Sequence, residues 1–274
     1  MIRTGFLKRA GCSVYYEASV RPTNTGPTMV FAHGLGGNHL SWWQQVAHFS
    51  ASHDCVVFSH RGFTPSSPVP GASAPDAYAD DLAALIDELA LGEVILVAQS
   101  MGGWTCLEYA LRAPQKVRAL VMASTSGAID FRKLTGPVAG EIGKWLEDAP
   151  RMLADMEARG VPVAGGERMA REQPALAALY AQITRLTPAE FRAAVRARIQ
   201  ERRTLAPDAL ERLQMPALFL TGDEDCVFPA MAGPPLAAHA PKGSALRVPK
   251  AGHSVYFEHA AQFNRAVEEF LRTT

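Results

Sequence analysis

The sequence predicts an α/β fold, a mainly parallel central sheet flanked by helices, with an inserted helical lid. Three observations carry that expectation. Short apolar runs recur along the chain without polar alternation, as suits strands buried between two helical layers. Segments of helical periodicity separate them, and strand–helix alternation implies parallel strands joined by right-handed crossovers. From about Gly127 to Leu213 the alternation stops, and no convincing strand interrupts an alanine- and arginine-rich stretch.

The elements follow in chain order. A short strand is expected near Thr4–Lys8 and another over SVYYE, residues 13–17. The runs TMVFA (28–32), CVVF (55–58), VILVA (94–98) and VRALVMA (117–123) are the next four, and PALFLT (216–221) and SALRV (244–248) the last two. Tyr78, Leu82, Leu85, Ile86 and Leu89 recur at helical spacing and form one apolar face. Residues 101–112 read as a helix, as do residues 258–272, where Phe263, Val267, Phe270 and Leu271 share a face. Within the insertion, Thr187-Pro188-Ala189-Glu190 reads as a capping box with proline at the first helical position. The expected domains are therefore a core of residues 1–126 and 214–274, and a cap of residues 127–213.

Composition narrows the function. Lysine plus arginine and aspartate plus glutamate both number 27. That balance argues against nucleic acid or an anionic membrane as the main partner. The 48% hydrophobic content is ordinary for a globular chain of this length. No apolar run approaches the ~18 residues of a membrane span, and the N-terminus lacks a signal-peptide core. The four cysteines, Cys12, Cys55, Cys106 and Cys226, are scattered, with neither metal nor redox spacing. A cytoplasmic protein without metal or cofactor is expected; a homo-oligomer is compatible with the sequence.

The chemistry gathers at the ends of three runs. Ala98-Gln99-Ser100-Met101-Gly102 joins a strand directly to a helix and matches the nucleophile elbow G-x-S-x-G, with alanine at the first glycine. The sharp turn needs small residues two before and two after the serine. A serine hydroxyl needs a base, and the base an orienting acid. Ala251-Gly252-His253 follows the last expected strand, and Gly222-Asp223-Glu224-Asp225 the one before it. Ser100, His253 and Asp225 are the expected catalytic residues, with Asp223 and, remotely, Asp130 as other acids. His33-Gly34-Leu35-Gly36-Gly37 lacks the register and the following acid of a dinucleotide fingerprint. Trp42, Trp43 and the aromatic residues of the insertion, Trp145 among them, have two readings each, core or pocket wall; Trp42 and Trp145 are the candidates for substrate contact. The arginines of the insertion, including Arg196, Arg198, Arg202 and Arg203, read as solvated, with substrate carboxylate recognition a minor reading.

With these motifs the sequence resembles the α/β-hydrolase superfamily over nearly its whole length. The resemblance rests on His33-Gly34-Leu35-Gly36-Gly37, Ala98 through Gly103, Gly222-Asp223-Glu224-Asp225 through Pro229, and Ala251-Gly252-His253 through Glu258 with Phe263-Asn264. It implies an α/β-hydrolase fold, favours Asp225 as the acid, and puts an oxyanion hole on the backbone N–H groups of Leu35 and Met101. The subgroup resembled is capped and contains meta-cleavage-product hydrolases, enol-lactone hydrolases, perhydrolases and small carboxylesterases. One departure stands out. Ser59-His60-Arg61-Gly62-Phe63-Thr64-Pro65-Ser66 lacks the leading acid and second glycine of the D-x-R-G-x-G-x-S pattern. The expected activity is hydrolysis of a small carboxylic ester or lactone with an apolar portion. Carbon–carbon hydrolysis of a vinylogous diketone and a non-catalytic ligand-binding role are the competing readings.

Overall fold

Alternate residues of the buried strands face opposite sides, and two cores follow from that. Val30 and Ala32 join Val94, Leu96 and Ala98 on one side of the sheet, while Met29 and Phe31 join Ile95 and Val97 on the other. Each of these side chains larger than alanine contributes roughly 1.5–3 kcal/mol by leaving water. The structure is a computed structural model and describes residues 2–21 and 26–274.

Eight strands form one sheet: β1 (Ile2–Arg9), β2 (Cys12–Ser19), β3 (Thr28–Ala32), β4 (Cys55–Phe58), β5 (Val94–Gln99), β6 (Val117–Ala123), β7 (Ala217–Gly222) and β8 (Gly243–Val248). Their spatial order is β1-β2-β4-β3-β5-β6-β7-β8. The first two strands run antiparallel to their neighbours and all the others pair in parallel. The carboxyl ends of β5, β7 and β8, where Ser100, Asp225 and His253 follow, therefore lie at one edge of the sheet.

Ten α-helices accompany it among the described residues. Three lie before β6: α1 (Trp43–Phe49), α2 (Tyr78–Glu88) and α3 (Gly102–Arg112). Four fill the insertion: α4 (Pro137–Ala158), α5 (Gly166–Glu172), α6 (Pro174–Arg185) and α7 (Ala189–Glu201). The last three are α8 (Gly233–His239), α9 (Val255–Glu258) and α10 (Ala260–Arg272). No described helix is long and apolar enough to cross a membrane.

Two local expectations change. The capping box at Thr187 does not form: α7 begins after Pro188 with no side-chain cap, and the Thr187 hydroxyl is buried without a partner. The helix expected over residues 258–272 is α10 and starts two residues later, at Ala260, after a separate one-turn α9 that ends at Glu258.

Candidate active site

The elbow is built from space as much as from chemistry. Ser100 has φ +47°, a left-handed conformation that side chains rarely adopt, and it sits between β5 and α3. A Cβ at Gly102 would overlap the Ala32 carbonyl of β3, so the turn closes only with glycine there. Gly34 is constrained in the same way: a Cβ would overlap Gln99 Oε1 and lie 3.2 Å from the Ser100 Cβ. The loop after β3 and the elbow are therefore in direct contact.

Two backbone donors sit in these contacting segments. The Leu35 and Met101 N–H groups have no hydrogen-bond acceptor among the described residues. Met101 is wholly buried.

The three acids after β7 have different fates. Asp223 pairs with Arg247 at 2.7 Å, and Glu224 pairs with Arg168, both near the surface. Asp225 turns inward. Its Oδ1 accepts the Val227 and Phe228 N–H groups at 2.7 and 2.9 Å, and its Oδ2 meets His253 Nδ1 at 2.8 Å. The carboxylate is thereby held from both oxygens. Nδ1 donates to it, which leaves Nε2 of the ring as the acceptor edge. Asp130 is spent elsewhere, on a bidentate pair with Arg132 at 2.6 and 3.0 Å.

His253 is fixed from behind as well. Gln99 Nε2 donates to its carbonyl at 3.2 Å, and the preceding Gly252 N–H donates to Glu258 Oε2 at 2.7 Å. Burial pushes the Glu258 carboxyl above its usual range, and its other oxygen has no hydrogen-bond donor. The structure thus joins Asp225 to His253. It does not join His253 to Ser100 by a hydrogen bond: the Ser100 hydroxyl and the Nε2 edge are both uncommitted among the described residues.

The insertion meets the site through α6. Thr184 Oγ1 donates to the Gly36 carbonyl at 2.7 Å, and Ser254 Oγ donates to the Tyr180 hydroxyl at 3.2 Å. Tyr180, Thr184, Gln99 and Glu258 have no triad chemistry of their own, and only Gln99 and Glu258 sat in recognisable motifs. The contacts of Tyr180, Thr184 and Gln99 join residues 74 to 154 positions apart, which no local pattern reveals.

The two tryptophans separate. Trp42 is fully enclosed, with its ring 5.2 Å from Phe31 and 4.3 Å from Tyr256, so packing makes it core and removes it from substrate contact. Trp145 on α4 donates to the Asp225 carbonyl at 3.4 Å and lines a cavity of about 460 Å³ with Met152, Met156, Asp225 and Gly252. Ser100 is not among the walls of that cavity.

The loop that departs from D-x-R-G-x-G-x-S is nonetheless tightly held. Ser59 Oγ accepts the His39 N–H at 3.2 Å and donates to the Thr64 carbonyl at 3.3 Å, while Arg61 Nε pairs with Asp81 at 2.6 Å. Side-chain hydroxyl bonds replace the missing carboxylate. No cluster of three metal-ligating side chains occurs among the described residues.

A family model described as alpha/beta hydrolase fold matches residues 27–158. The chain is 25% identical over 251 residues to 3-oxoadipate enol-lactonase 2 of Acinetobacter baylyi, covering 90% of this chain and 89% of that one. Its fold resembles a thermophilic esterase from Thermogutta terrifontis at TM-score 0.74 and 22% identity, covering 99% and 98% of the two chains. It also resembles the enol-lactonase from Burkholderia xenovorans at TM-score 0.77 and 19% identity, covering 98% and 100%.

Proposed function

We propose that the chain, which has the fold of the α/β hydrolases, is a serine hydrolase of small carboxylic esters or lactones. One observation carries this reading: a buried Asp225, held by two backbone N–H groups, takes the Nδ1 proton side of His253 and leaves Nε2 free to act as a base.

In the proposed mechanism Ser100 Oγ attacks the substrate carbonyl carbon while His253 Nε2 takes its proton. The hydrogen bond between those atoms closes as substrate binds, in keeping with catalytic contacts that are long in the free enzyme. Asp225 stabilises the imidazolium. The carbonyl oxygen, now an oxyanion, receives the Leu35 and Met101 N–H groups, donors of a kind worth about 10²–10³ in rate each. The carbon–oxygen bond then breaks, and His253 returns the proton to the leaving alkoxide. Water, deprotonated by His253, attacks the acyl carbon; the bond to Ser100 Oγ breaks, His253 returns the proton to Oγ, and the acid leaves. The helices of residues 127–213 act as the lid over this chemistry, and Trp145 is an aromatic side chain of that lid in contact with the acid loop. The similarity to a lactonase supports the substrate class.

A fluorophosphonate probe tests the assignment. It should label the wild type, and Ser100→Ala should abolish both the label and turnover of a p-nitrophenyl ester. A wild type that neither labels nor turns over would favour a ligand-binding protein on the same scaffold.

A further inference from the structure

Helix α6 of the insertion touches two loops of the core at once. Thr184 Oγ1 lies 2.7 Å from the Gly36 carbonyl, in the loop after β3, and 2.9 Å from the Tyr180 carbonyl of its own helix. Its one proton is shared between those acceptors, and the shorter contact is the one made across to the core. One turn earlier, the buried Tyr180 accepts a hydrogen bond at 3.2 Å from Ser254 Oγ, the residue after His253. Its ring meets Phe257 edge-on, with centres 5.1 Å apart. The same two side chains close over Gly36: a Cβ there would lie 3.0 Å from the Tyr180 hydroxyl oxygen and 3.4 Å from Thr184 Oγ1. The missing side chain at Gly36 is what seats α6 on the loop.

The turn beneath α6 carries one of the two proposed oxyanion donors. The Gly37 N–H donates to the Gly34 carbonyl at 3.0 Å, which closes a tight turn with Leu35 and Gly36 at its tip. A peptide unit is planar, so the direction of the Leu35 N–H moves with the Gly34 carbonyl and hence with the turn. Thr184 holds that turn at Gly36 from the insertion side. The end of α6 is itself tied down there, because Arg192 of α7 donates to the Thr184 carbonyl at 2.7 Å. One helix of the insertion thus spans from the loop of Leu35 to the loop of His253.

We propose that Thr184 and Tyr180 are positioning residues: α6 holds the Gly34–Gly37 turn at a fixed setting against the His253 loop, so that the insertion completes the oxyanion hole as well as covering it. This rests on the hydrolase reading above. Neither side chain takes part in the bond changes.

The test measures two matched p-nitrophenyl substrates, an ester and its thionoester. In the thionoester a sulfur, a weak hydrogen-bond acceptor, replaces the oxygen that the hole would bind. Thr184→Val should lower kcat on the oxygen ester by about tenfold, less than the loss of a whole donor, while KM stays within about twofold and the thionoester rate barely moves. Tyr180→Phe should lower the ester-to-thionoester ratio by less, and Thr184→Ser, which keeps the hydroxyl, should preserve it. Gly36→Ala should lower the ratio in the wild type and lower it less beside Tyr180→Phe, because the oxygen that its Cβ meets is then gone. An unchanged ratio in a folded Thr184→Val, or equal falls on both substrates, overturns the proposal. If Thr184→Val fails to fold, the Tyr180→Phe ratio decides: a fall supports the proposal and no change overturns it. If the wild type turns over neither substrate and takes no fluorophosphonate, the hydrolase reading has failed separately. Amide hydrogen exchange then decides: faster exchange of the Gly37 N–H in the folded variant supports the hold of α6 on the turn, and an unchanged rate overturns it.

Discussion

Two histidine pairs sit in the same molecule and differ in what their rings have left to give. In the first, His253 gives Nδ1 to Asp225 and keeps Nε2 uncommitted. In the second, beneath the loop after β3, His33 Nδ1 donates to the Gly34 carbonyl and its Nε2 faces both the backbone N–H and Nδ1 of His60 at 3.0 Å. His60 Nε2 meets the Thr105 hydroxyl at 2.9 Å, so the ring nitrogens of this second pair are all engaged. Both pairs are buried. Burial alone therefore does not distinguish a base from a strut; a lone pair without a partner does.

The comparison breaks first on rate. Replacing His253 by glutamine should lower kcat on a p-nitrophenyl ester by about 10⁴-fold or more, as for triads in general. The urea midpoint should stay close to wild type. His33→Ala should do the reverse. It leaves the His60 backbone N–H and ring donor without their acceptor in the core, at a cost of about 2–4 kcal/mol by chemical unfolding. If His33→Ala instead kept its stability and lost its rate, the strut and the base would have been assigned the wrong way round.

Packing around the strut gives the next effect. His33 precedes Gly34, whose missing Cβ leaves the space that Gln99 Oε1 occupies. Gly34→Ala should cost about 1–3 kcal/mol by overpacking, and should also lower kcat because the displaced atoms are those that fix Ser100 and the His253 carbonyl. Equal stability and rate in Gly34→Ala would show that the two loops are not coupled.

Protons give a gentler effect. Burial holds His33 at a pKa of about 3 and His60 well below its ordinary value. In the unfolded chain each ring titrates near 6.5. Between those values the unfolded chain binds more protons. The stability from neutral burial is thus complete above about pH 6.5 and drains away as pH falls toward 3, at up to about 1.4 kcal/mol per unit for each ring. Urea midpoints at pH 7 and pH 5.5 should show the loss, and His60→Gln should flatten it. A flat wild-type profile over that interval would mean the rings are not held neutral.

Much of this was legible in advance, and the reason is local. The strand runs needed no alternation because both sheet faces are covered, and Thr28–Ala32 and Cys55–Phe58 begin and end where the apolar runs do. The elbow announced itself because only small residues permit the turn. The partners of Asp225 and His253 were expected from order along the chain, since acid and base follow successive parallel strands. The rest depends on contacts across distance. That Trp42 is core and Arg203 lies between two rings could not be read from residue type, because each side chain suits both water-facing and enclosed roles until its neighbours are known. The second histidine pair is a clearer instance: His33 was seen only as part of a glycine motif and His60 only as a departure from one, yet the two make a single buried network.

The smallest effect separates two acids that adjoin in sequence. Asp223 and Asp225 both follow β7, and either could have served the imidazole on sequence grounds. Asp223 faces water and pairs with Arg247, an arrangement worth less than about 1 kcal/mol when half exposed. Asp225 has no exposed side-chain surface and is bound from both oxygens. Asp223→Asn should therefore shift stability by no more than about 0.5 kcal/mol and leave ester turnover near wild type. Asp225→Asn, measured alongside it, should cost about 10⁴ in kcat, because an amide in that position disfavours the Nδ1–H tautomer that frees Nε2. A tenfold or greater fall in Asp223→Asn, with Asp225→Asn active, would move the acid two residues toward the strand and with it the orientation of the ring.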